Sequence, residues 1–272
     1  MPTISSAGGA DPGQHRRVAE SFGTDAARYD RARPRYPEAL VRRIIADRPG
    51  LDVLDVGCGT GIAARQFQTA GCRVHGVEPD ARMAEVARRY GTEVDIATFE
   101  DWDPAGRTFD AVVAATAWHW IDTAAGTAKA ARALRPGGLL AMFWNVFQLP
   151  SDVAEAVTDV CRRALPDAPF DFSAMTKGTP DAYRSVLARA ADGIRERDDF
   201  TEPEEWRFEW EWTYTRDAWL DQMPTFGAFT RVPPDQLTEV LTGVGSALDA
   251  LGGSFTMHYT TAVVAARWNG TP

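Results

Sequence analysis

Apolar and polar residues alternate in blocks along the first half of the chain. Short apolar runs predict five strands, over Asp52–Val56, Arg73–Glu78, Glu93–Ala97, Phe109–Ala115 and Leu139–Trp144. Runs with helical spacing of apolar residues lie between them, at 62–70, 79–90 and 121–134. Strands that alternate with helices are typical of βαβ units and a parallel sheet. The unbroken apolar runs of strands four and five indicate a sheet that is covered on both faces.

The flanking segments have other patterns. Before the first strand, the pattern predicts a helix over His15–Tyr29, a stiff loop over Arg31–Pro37 and a helix that Pro37 opens and Pro49-Gly50 ends. After Asn145, it predicts helices over Leu149–Leu165, Asp181–Ile194, Thr215–Met223 and Pro234–Leu251, and a final strand over Phe255–Arg267. Glu205–Trp212 alternates strictly and predicts a half-buried strand. Its aromatic face fits packing on helices better than a binding stripe.

A glycine turn follows the first strand directly. Gly57, Gly59 and Gly61 stand at alternate positions just before a helix-compatible run. Glycine adopts positive φ and has no Cβ to keep a ligand away from the backbone. A helix that begins after such a turn directs its N–H groups toward whatever lies there. The stretch predicts a cofactor cradle, and the alternative is a tight strand-to-helix connection without a ligand.

Residues around the turn narrow the choice of cofactor. The dinucleotide fingerprint needs a small residue where this chain has Ile62. Asp55, in the strand before the turn, would repel a pyrophosphate but suits a ligand that carries an ammonium or sulfonium group. Glu78 closes the next strand, where a carboxylate can accept hydrogen bonds from ribose hydroxyls. A ribose and a cation without phosphates together indicate S-adenosylmethionine.

The ordered motifs of residues 50–145 resemble those of class I S-adenosylmethionine-dependent methyltransferases. Asp52–Gly61 is similar to the glycine motif of that family, and Glu78–Asp80 is similar to its acidic motif after the second strand. Leu134–Leu139 is similar to its turn before strand five, and Phe99–Asp101 stands where the family contacts adenine. The resemblance implies methyl transfer from S-adenosylmethionine.

Two further segments, Arg33–Pro37 and Ala117–Trp120, are similar to the small-molecule branch of methyltransferase type 11 and trans-aconitate methyltransferase-like proteins. Pattern and resemblance together predict an α/β fold with a Rossmann-like, doubly wound, mostly parallel seven-stranded sheet and a helical insertion after strand five. The expected segments are a disordered leader (1–14) and one methyltransferase domain (15–272), which contains N-terminal helices and a lid (15–48), the cofactor-binding core (50–145), a helical cap (149–200) and C-terminal strands and helices (203–268).

The resemblance also implies cofactor roles for individual residues. The implied set is Asp55, Gly57, Cys58, Gly59, Glu78, Pro79, Met83, Phe99, Glu100, Thr116 and Ala117. Within it, Asp55 and the backbone of the two glycines would hold the methionine end, and Glu78 would hold the ribose. Pro79 and Met83 would flank the adenine, whose edge Glu100 or the backbone beside Phe99 would contact. Thr116 and Ala117 would lie under the sulfonium, and core packing is an equal interpretation of Met83.

Residues that follow strands four and five are expected to face the methyl acceptor, because ligands of a doubly wound sheet bind outside the carboxyl ends of the strands. Trp118, Trp120 and Trp144, with Asn145 beside them, could wall an apolar pocket. His119 could take a proton from an acceptor hydroxyl or an acidic carbon. The alternative is a structural histidine that caps the strand. A carboxylate acceptor would need no base, only in-line placement.

The N-terminal loop carries three arginines, Arg31, Arg33 and Arg35. One of them could pair with an anionic acceptor, bidentately if that acceptor is a carboxylate. Tyr29 and Tyr36 could close the same lid over the site. Solvated surface arginines and tyrosines in ordinary packing are the alternative. We take Tyr29, Arg33 and Tyr36 as further substrate candidates.

Composition limits the partners. The 272 residues carry a formal net charge of −9, which disfavours a nucleic-acid partner. Three cysteines without CxxC spacing argue against a zinc site and a disulfide framework, so we expect no metal and a cytoplasmic location. No apolar run approaches the roughly 20 residues of a membrane span. The N-terminus lacks the basic start and apolar core of a signal peptide.

The predicted reaction transfers a methyl group from S-adenosylmethionine to a small molecule, with an oxygen of an acid or hydroxylated metabolite as the acceptor atom. Methylation of carbon or nitrogen and a non-catalytic S-adenosylmethionine-binding protein are alternatives. A nucleic-acid base methyltransferase is disfavoured because the chain has no obvious basic patch and no Asn/Asp-Pro-Pro-aromatic motif after strand four. A nicotinamide dehydrogenase is disfavoured by Asp55 and Ile62.

Overall fold

The computed structural model describes residues 21–46, 50–166, 168, 172 and 180–270. The predicted leader at 1–14 and the first residues of the predicted helix at His15–Tyr29 lie outside them. The chain divides into two compact units. The sheet unit combines Pro34–Asn145, Arg184–Phe208 and Thr261–Pro272. The second unit combines Met1–Arg33, Val146–Tyr183 and Glu209–Thr260, and it is called the aromatic unit after its core.

Seven strands form one sheet. They are β1 Asp52–Val56, β2 Arg73–Val77, β3 Glu93–Asp95, β4 Phe109–Ala115, β5 Leu134–Gln148, β6 Glu204–Thr215 and β7 Ser254–Arg267. Their order is β3-β2-β1-β4-β5-β7-β6, and the pairs from β3 through β5 are parallel. The strand order reverses direction between β1 and β4, which is where such folds bind ligands. The predicted Rossmann-like, mostly parallel seven-stranded sheet is confirmed.

The helices follow the apolar periodicity closely. They are α1 Ala26–Ala32, α2 Glu38–Ala46, α3 Ile62–Thr69, α4 Ala81–Arg89, α5 Thr123–Ala133, α6 Ser151–Ala164, α7 Pro180–Arg195, α8 Arg216–Gln222 and α9 Pro234–Ala250. Side-chain caps fix several starts, because an Asp or Thr oxygen accepts a free N–H of the first turn. Asp80 caps α4, Asp122 caps α5 and Thr215 caps α8. Within the described part of the chain, no helix is both long and apolar enough to cross a membrane.

The predicted helix over His15–Tyr29 is interrupted in its described part. A 3₁₀ turn occupies Phe22–Asp25, and α1 then runs on to Ala32. The Asp25 side chain accepts a hydrogen bond from the Arg28 N–H at 3.0 Å, which starts a separate helix at that point. The apolar pattern cannot show such a restart, because it depends on one cap.

The predicted turn at Arg135–Gly138 lies inside strand β5. Leu134 pairs with Phe109 and Leu139 pairs with Ala111, so β5 carries extra residues between the two pairings. Gly137 has φ +76°, which lets the backbone bulge and then rejoin the sheet. A glycine pair after proline signals a change of direction, and the sheet absorbs this change as a bulge.

The sheet unit has its core on β1, β4, β5 and β7, with helices α2 and α3 packed on it. Leu40 and Ile44 of α2, Phe67 of α3 and Phe143 of β5 are buried there. Trp206 of β6 is also buried in this core, and the Arg43 guanidinium lies 3.9 Å from the centre of its ring. A well-packed α/β body therefore supports the turn that follows β1.

The aromatic unit is built from α1, α6, α8, α9 and the adjoining parts of β5, β6 and β7. Its core is rich in large rings, among them Phe147, Tyr214, Trp219, Phe226, Phe255 and Tyr259. Of the predicted aromatic face of β6, Trp210 packs in this unit, whereas Trp212 is 56% exposed. The predicted cap at 149–200 does not coincide with one unit, because the boundary falls between Tyr183 and Arg184.

Candidate active site

The glycine turn after β1 has the backbone that only glycine adopts easily. Gly57, Gly59 and Gly61 have φ of +64°, +55° and +81°. A Cβ placed on Gly57 would lie 2.5 Å from the Ala117 Cβ, and a Cβ on Gly59 would lie 3.5 Å from the Met83 Cε. The segment after β4 and the start of α4 therefore approach this turn closely. Both side chains belong to the predicted cofactor set.

Backbone N–H groups of the turn are bonded within the protein. The Gly57 N–H donates to the Val77 carbonyl at 2.8 Å, and the Gly59 N–H donates to Glu78 Oε2 at 2.9 Å. Gly61 begins α3 without a side-chain cap. The two glycines that were expected to hold the methionine end thus shape the cradle, because their donors are already engaged.

Asp55 is a fully buried carboxylate on β1. Neither of its oxygens has a hydrogen bond of good geometry, although the Ala64 N–H lies nearby. Burial raises the pKa of Asp55 to about 7, with a further contribution from the negative charge of Glu78. An ionised carboxylate without a partner is unfavourable in such a place. The site therefore favours a ligand that brings a positive charge to Asp55.

Glu78, directly after β2, is the second buried carboxylate at the turn. Its Oε2 accepts the Gly59 N–H and its Oε1 accepts the Asp80 N–H, each at 2.9 Å. Burial raises the pKa of Glu78 to about 7, and these two hydrogen bonds oppose that rise. Each carboxylate oxygen has a second lone pair. Glu78 is thus held in place by the backbone and can still accept ribose hydroxyls.

The residues expected at the adenine differ in burial and in their contacts. Met83 is buried beside Gly59, whereas Pro79 is exposed. Phe99 is buried and stacks on the Trp102 ring with centroids 6.1 Å apart, so its side chain belongs to the core. Glu100 Oε1 accepts the Asp122 N–H at 2.9 Å. The Glu100 side chain therefore helps to start α5.

Cys58 contributes packing through its side chain. It lies in a small buried cluster with Ala84, Ala87 and Val94. A Cβ on Gly76 would lie 2.6 Å from the Cys58 Sγ, so the thiol packs against β2 at a position that has no side chain. Burial raises the pKa of this thiol well above its usual value. The Cys58 N–H donates to the Val77 carbonyl at 3.2 Å and the Cys58 carbonyl accepts from the Gly61 N–H at 2.9 Å, so its cofactor role stays a prediction.

Thr116, just after β4, has an unusual backbone. Its φ is +57°, which is strained for a β-branched residue and often marks functional sites. The Thr116 N–H donates to the Phe143 carbonyl at 2.7 Å, and its Oγ1 lies 2.9 Å from the Tyr36 hydroxyl. Tyr36, a substrate candidate, is therefore joined to the predicted sulfonium position.

Gln66 holds Tyr36 in this position, and sequence reasoning missed it. The Tyr36 N–H donates to Gln66 Oε1 at 2.9 Å, and Gln66 Nε2 donates to the Tyr36 carbonyl at 2.7 Å. The Tyr36 ring also meets Phe143 edge-on, with centroids 4.8 Å apart. No local signal could reveal Gln66, because it lies on α3, 30 positions from its partner.

His119 stands in a 3₁₀ turn after β4 and is bonded to the end of β5. The Trp144 Nε1–H donates to His119 Nδ1 at 3.1 Å, and the Trp120 ring lies 4.7 Å from the imidazole. Because Nδ1 accepts this hydrogen bond, the neutral ring carries its proton on Nε2. In this tautomer Nε2 carries the ring proton, and the role of His119 as a base stays a prediction.

Two other acceptor candidates of the sheet unit, Trp118 and Asn145, contact neighbouring residues of the protein. Trp118 is buried, its ring lies near Phe99, and its Nε1 has no hydrogen-bond partner within the described residues. Asn145 Nδ2 donates to the Arg35 carbonyl at 3.2 Å, and its Oδ1 accepts from Thr261 at 2.6 Å. The Asn145 amide is thus occupied in holding the loop before α2.

Tyr29 and Arg33 belong to the aromatic unit. The Arg33 guanidinium lies 4.9 Å from the centre of the Tyr29 ring. Arg31, in contrast, pairs bidentately with Asp221, with both distances 2.8 Å. Arg35 is exposed. Among the described residues, His, Cys, Asp and Glu side chains form no group of three that could hold a metal ion, and the expectation of no metal stays a prediction.

Comparisons with known proteins identify a methyltransferase domain in the chain. Residues 53–138 match a family model that is described as a methyltransferase domain. An uncharacterised methyltransferase of Mycobacterium tuberculosis is 36% identical over 132 residues, which are 48% of this chain and 54% of the relative. A ubiquinone biosynthesis O-methyltransferase of Methylocella silvestris is 39% identical over 112 residues, which are 38% and 44% of the two chains. The chain spans about half the length of the curated relatives it matches.

Among solved structures, a candidate type II methyltransferase of Anaeromyxobacter dehalogenans is similar with a TM-score of 0.62 and 27% identity. The match covers 86% of this chain and 97% of that one. A candidate methyltransferase from an antibiotic biosynthesis pathway of Anabaena variabilis has a TM-score of 0.54 at 14% identity, over 83% and 96% of the chains, and shows the fold alone.

The fold and the acidic glycine cradle define a class of nucleoside-binding α/β proteins. The cradle lacks the third small residue of dinucleotide folds and adds an unpartnered carboxylate. With the matches above, the chain carries a methyltransferase domain over residues 53–138 and is similar to S-adenosylmethionine-dependent methyltransferases. Its cofactor is S-adenosylmethionine, and the buried Asp55 and Glu78 fit the cation and ribose of that molecule.

Proposed function

We propose that the chain methylates an oxygen of a small molecule, an acid or a hydroxylated metabolite. The observation that carries the methyl-transfer part of the proposal is the pair of buried carboxylates at the glycine turn, of which Asp55 lacks a hydrogen bond in the protein. The name of the O-methyltransferase relative supports oxygen as the acceptor atom. The acidic composition favours a small molecule over a nucleic acid. The predicted cytoplasmic location stays a prediction.

Each residue of the cradle binds a different part of the ligand. Asp55 balances the positive charge of the ligand, and Glu78, fixed by two backbone N–H groups, accepts the ribose hydroxyls. Met83 packs beside Gly59 as an apolar neighbour of the adenine. When bound, S-adenosylmethionine supplies a methyl group on a cationic sulfur that departs as a neutral thioether. The protein therefore needs mainly to align the acceptor and exclude water.

The residues after β4 and β5 handle the acceptor. We assign His119 Nε2–H as a donor that orients the acceptor oxygen, because Trp144 occupies the other ring nitrogen. A carboxylate acceptor is already ionised and fits this arrangement directly. A hydroxyl acceptor needs proton removal, for which His119 would have to change its tautomer and release the Trp144 hydrogen bond. Tyr36, held against Thr116, contributes a second hydroxyl near the end of β4.

Binding and turnover measurements test the proposal together. We expect Asp55→Ala and Glu78→Ala each to weaken S-adenosylmethionine binding about tenfold or more, the effect of one lost charged partner. Asp110→Asn is the matched control, since Asp110 is a buried carboxylate on the neighbouring β4 that the Asp52 N–H and Arg135 satisfy. Calorimetry that shows wild-type affinity in both Ala variants would contradict the cofactor site.

Turnover is measured as S-adenosylhomocysteine formed with a panel of acids and phenols, and mass spectrometry identifies the product. Methyl esters or methyl ethers support oxygen as the acceptor atom. N-methyl or C-methyl products would overturn that part of the proposal. Tight cofactor binding without product from any acceptor would favour the non-catalytic binding protein.

A further inference from the structure

Helix α5 carries a buried lysine in a chain whose cations are almost all arginine. Lys129 is one of two lysines among 272 residues, and it is 9% exposed. Its Nζ donates to the Trp102 carbonyl at 2.6 Å, in a buried hydrogen bond. Within the described part of the chain, Lys129 forms no ion pair with a carboxylate. A buried ammonium without a carboxylate is unfavourable, so its bond to Trp102 requires an explanation beyond packing.

Trp102 ends a compact turn, which is called the 98–102 turn. The Trp102 N–H donates to the Thr98 carbonyl at 3.0 Å, and the Thr98 hydroxyl donates to Asp101 Oδ2 at 2.8 Å. Phe99 and Glu100, the residues predicted to meet the adenine, lie inside this turn. The position of the turn therefore decides where the groups of these two residues meet a ligand.

Helix α5 holds the 98–102 turn at two points. Glu100 Oε1 accepts the Asp122 N–H at 2.9 Å, and Lys129 holds the Trp102 carbonyl. Asp122 and Lys129 are about two helical turns apart, so both contacts fall on the same side of the helix. The Glu100 contact is exposed, whereas the Lys129 contact is buried. Water competes only with the exposed contact, so Lys129 is the stronger restraint.

The Trp102 side chain is fixed as well. Its Nε1–H donates to Asp95 Oδ2 at 2.8 Å, and Arg107 and His75 hydrogen-bond to the same oxygen. Burial opposes the ionisation of Asp95, but these three hydrogen bonds outweigh it and hold the pKa of Asp95 well below its ordinary value. The Trp102 ring is 2% exposed and stacks on Phe99. Asp95 thus anchors the indole at the end of β3, which leaves the main chain of the turn to be set by α5.

The main-chain groups of Phe99 and Glu100 form no hydrogen bond with any described residue. Their side chains are engaged elsewhere, Phe99 in the core and Glu100 at Asp122. Neighbouring N–H and carbonyl groups match the edge of adenine, which accepts at N1 and donates from its 6-amino group. Hypoxanthine donates at N1 and accepts at O6, so the same groups disfavour it when they are held in one position.

We propose that Lys129 is a positioning residue for adenine recognition. Its ammonium fixes the Trp102 carbonyl and thereby the 98–102 turn, whose free main-chain groups contact the edge of the base. Lys129 acts through the turn and does not touch the cofactor. The inference rests on the adenine role of Phe99 and Glu100, which stays a prediction, and it is independent of the atom that accepts the methyl group.

Calorimetry with the full chain, in the absence of an acceptor, tests the inference. The probes are S-adenosylhomocysteine and S-inosylhomocysteine, which differ only in the base. Wild type should bind the adenosine compound about tenfold more tightly or better, because hypoxanthine mismatches two main-chain groups. Lys129→Met should reduce this ratio about fivefold, mainly through weaker binding of the adenosine compound. Lys129→Arg, which keeps a charged donor, should retain most of the ratio.

Arg132→Met is the matched control, since Arg132 is exposed on the same helix. It should leave both affinities within about twofold of wild type. If Lys129 only stabilised the fold, Lys129→Met would lower the free energy of unfolding and leave the ratio of the two affinities unchanged. That result, or a wild type without a preference for adenine, overturns the inference.

A second variant and a second measurement keep the test decisive if Lys129→Met does not fold. Lys129→Gln keeps a neutral donor and should give an intermediate ratio, and a wild-type ratio would contradict the inference. In ¹⁵N NMR spectra of wild type, the Phe99 and Glu100 amide signals should shift more with the adenosine compound than with the inosine compound, and equal shifts would also contradict it. Failure of the proposed function has a different signature: S-adenosylhomocysteine would still bind with the base preference, but no O-methyl product would form.

Discussion

At the scale of single residues, the most informative feature is a pair of carboxylates that the fold buries. Asp55 and Glu78 both have a pKa raised to about 7, with burial as the main cause. Neither is paired with a cation among the described residues. Such carboxylates oppose folding when ionised, and a protein keeps them where function needs the charge. When ionised, the two carboxylates therefore destabilise the ligand-free protein, and a cationic ligand reduces this destabilisation.

The raised pKa values of Asp55 and Glu78 predict how stability depends on pH. The folded pKa of each carboxylate lies above its unfolded value, so between about pH 4 and pH 7 the native state binds more protons than the unfolded state. Stability from this pair is therefore greatest below about pH 4 and declines as pH rises through 7, by on the order of a few kcal/mol. Paired carboxylates such as Asp52, whose pKa the Arg73 guanidinium lowers, act in the opposite direction only at lower pH.

Urea unfolding of the ligand-free protein between pH 5 and 7.5 measures the effect. The free energy of unfolding should fall with rising pH in wild type and change less in Asp55→Asn and Glu78→Gln. A wild-type slope that the two variants reproduce would show that these carboxylates do not carry it. Saturating S-adenosylmethionine should also reduce the slope, because its cation stabilises the ionised forms.

At the scale of elements, the site is built where strands end. Each of β1, β2 and β4 ends in a residue or turn with special geometry: the glycine turn, Glu78 and the positive-φ Thr116. The bounds of β1 and β4 follow directly from their apolar runs. The extension of β5 through Leu134–Leu139 does not, because sheet pairing with β4 overrides the turn signal of Pro-Gly-Gly.

The close approach at Gly57 leads to a prediction on this scale. Gly57→Ala forces a Cβ to within 2.5 Å of Ala117 at a φ of +64°, so it should lower stability by about 1–3 kcal/mol and weaken cofactor binding. Gly71→Ala is the matched control, since Gly71 has φ +90° but no neighbour within 4 Å of the added Cβ. Urea unfolding should show the larger loss at Gly57, part of which Ala117→Gly recovers. Equal losses at the two glycines would show that contact with Ala117 is unimportant.

The contact between α3 and the loop before α2 leads to another prediction. Gln66→Met removes both hydrogen bonds that hold the Tyr36 backbone and thereby loosens the Tyr36 hydroxyl at Thr116. We expect turnover to fall about tenfold while S-adenosylmethionine affinity stays within twofold. Gln68→Met on the same helix, which loses only a bond to the Gly91 carbonyl, should change neither quantity. A parallel loss of cofactor affinity in Gln66→Met would assign Gln66 to the cradle.

At the scale of the whole molecule, the residues of the cofactor cradle all lie in one of the two units. Residues 53–138, which match the methyltransferase family, fall within the sheet unit together with the whole cradle. Tyr214 and Tyr259 belong to the aromatic unit, outside the matched segment. A shared methyltransferase body combined with a different second unit is a common way in which folds acquire new substrates.

The sequence by itself determined the cradle and its cofactor. Asp55, the three glycines and Ile62 are neighbours in the chain, and Glu78 ends the next parallel strand, so strand pairing alone brings these residues together. Local pattern is sufficient for such a site, since every part lies at a strand end whose position the apolar runs predict.

Only the tertiary structure decided the rest. Tyr36 meets Thr116 across 80 positions and Tyr214 meets Tyr259 across 45. The tautomer of His119 follows from Trp144, 25 positions away. Such contacts depend on which side chains the packed core brings together, and no periodicity records them. The donor of the methyl group was therefore readable from local pattern, whereas recognition of the acceptor is a property of the folded chain.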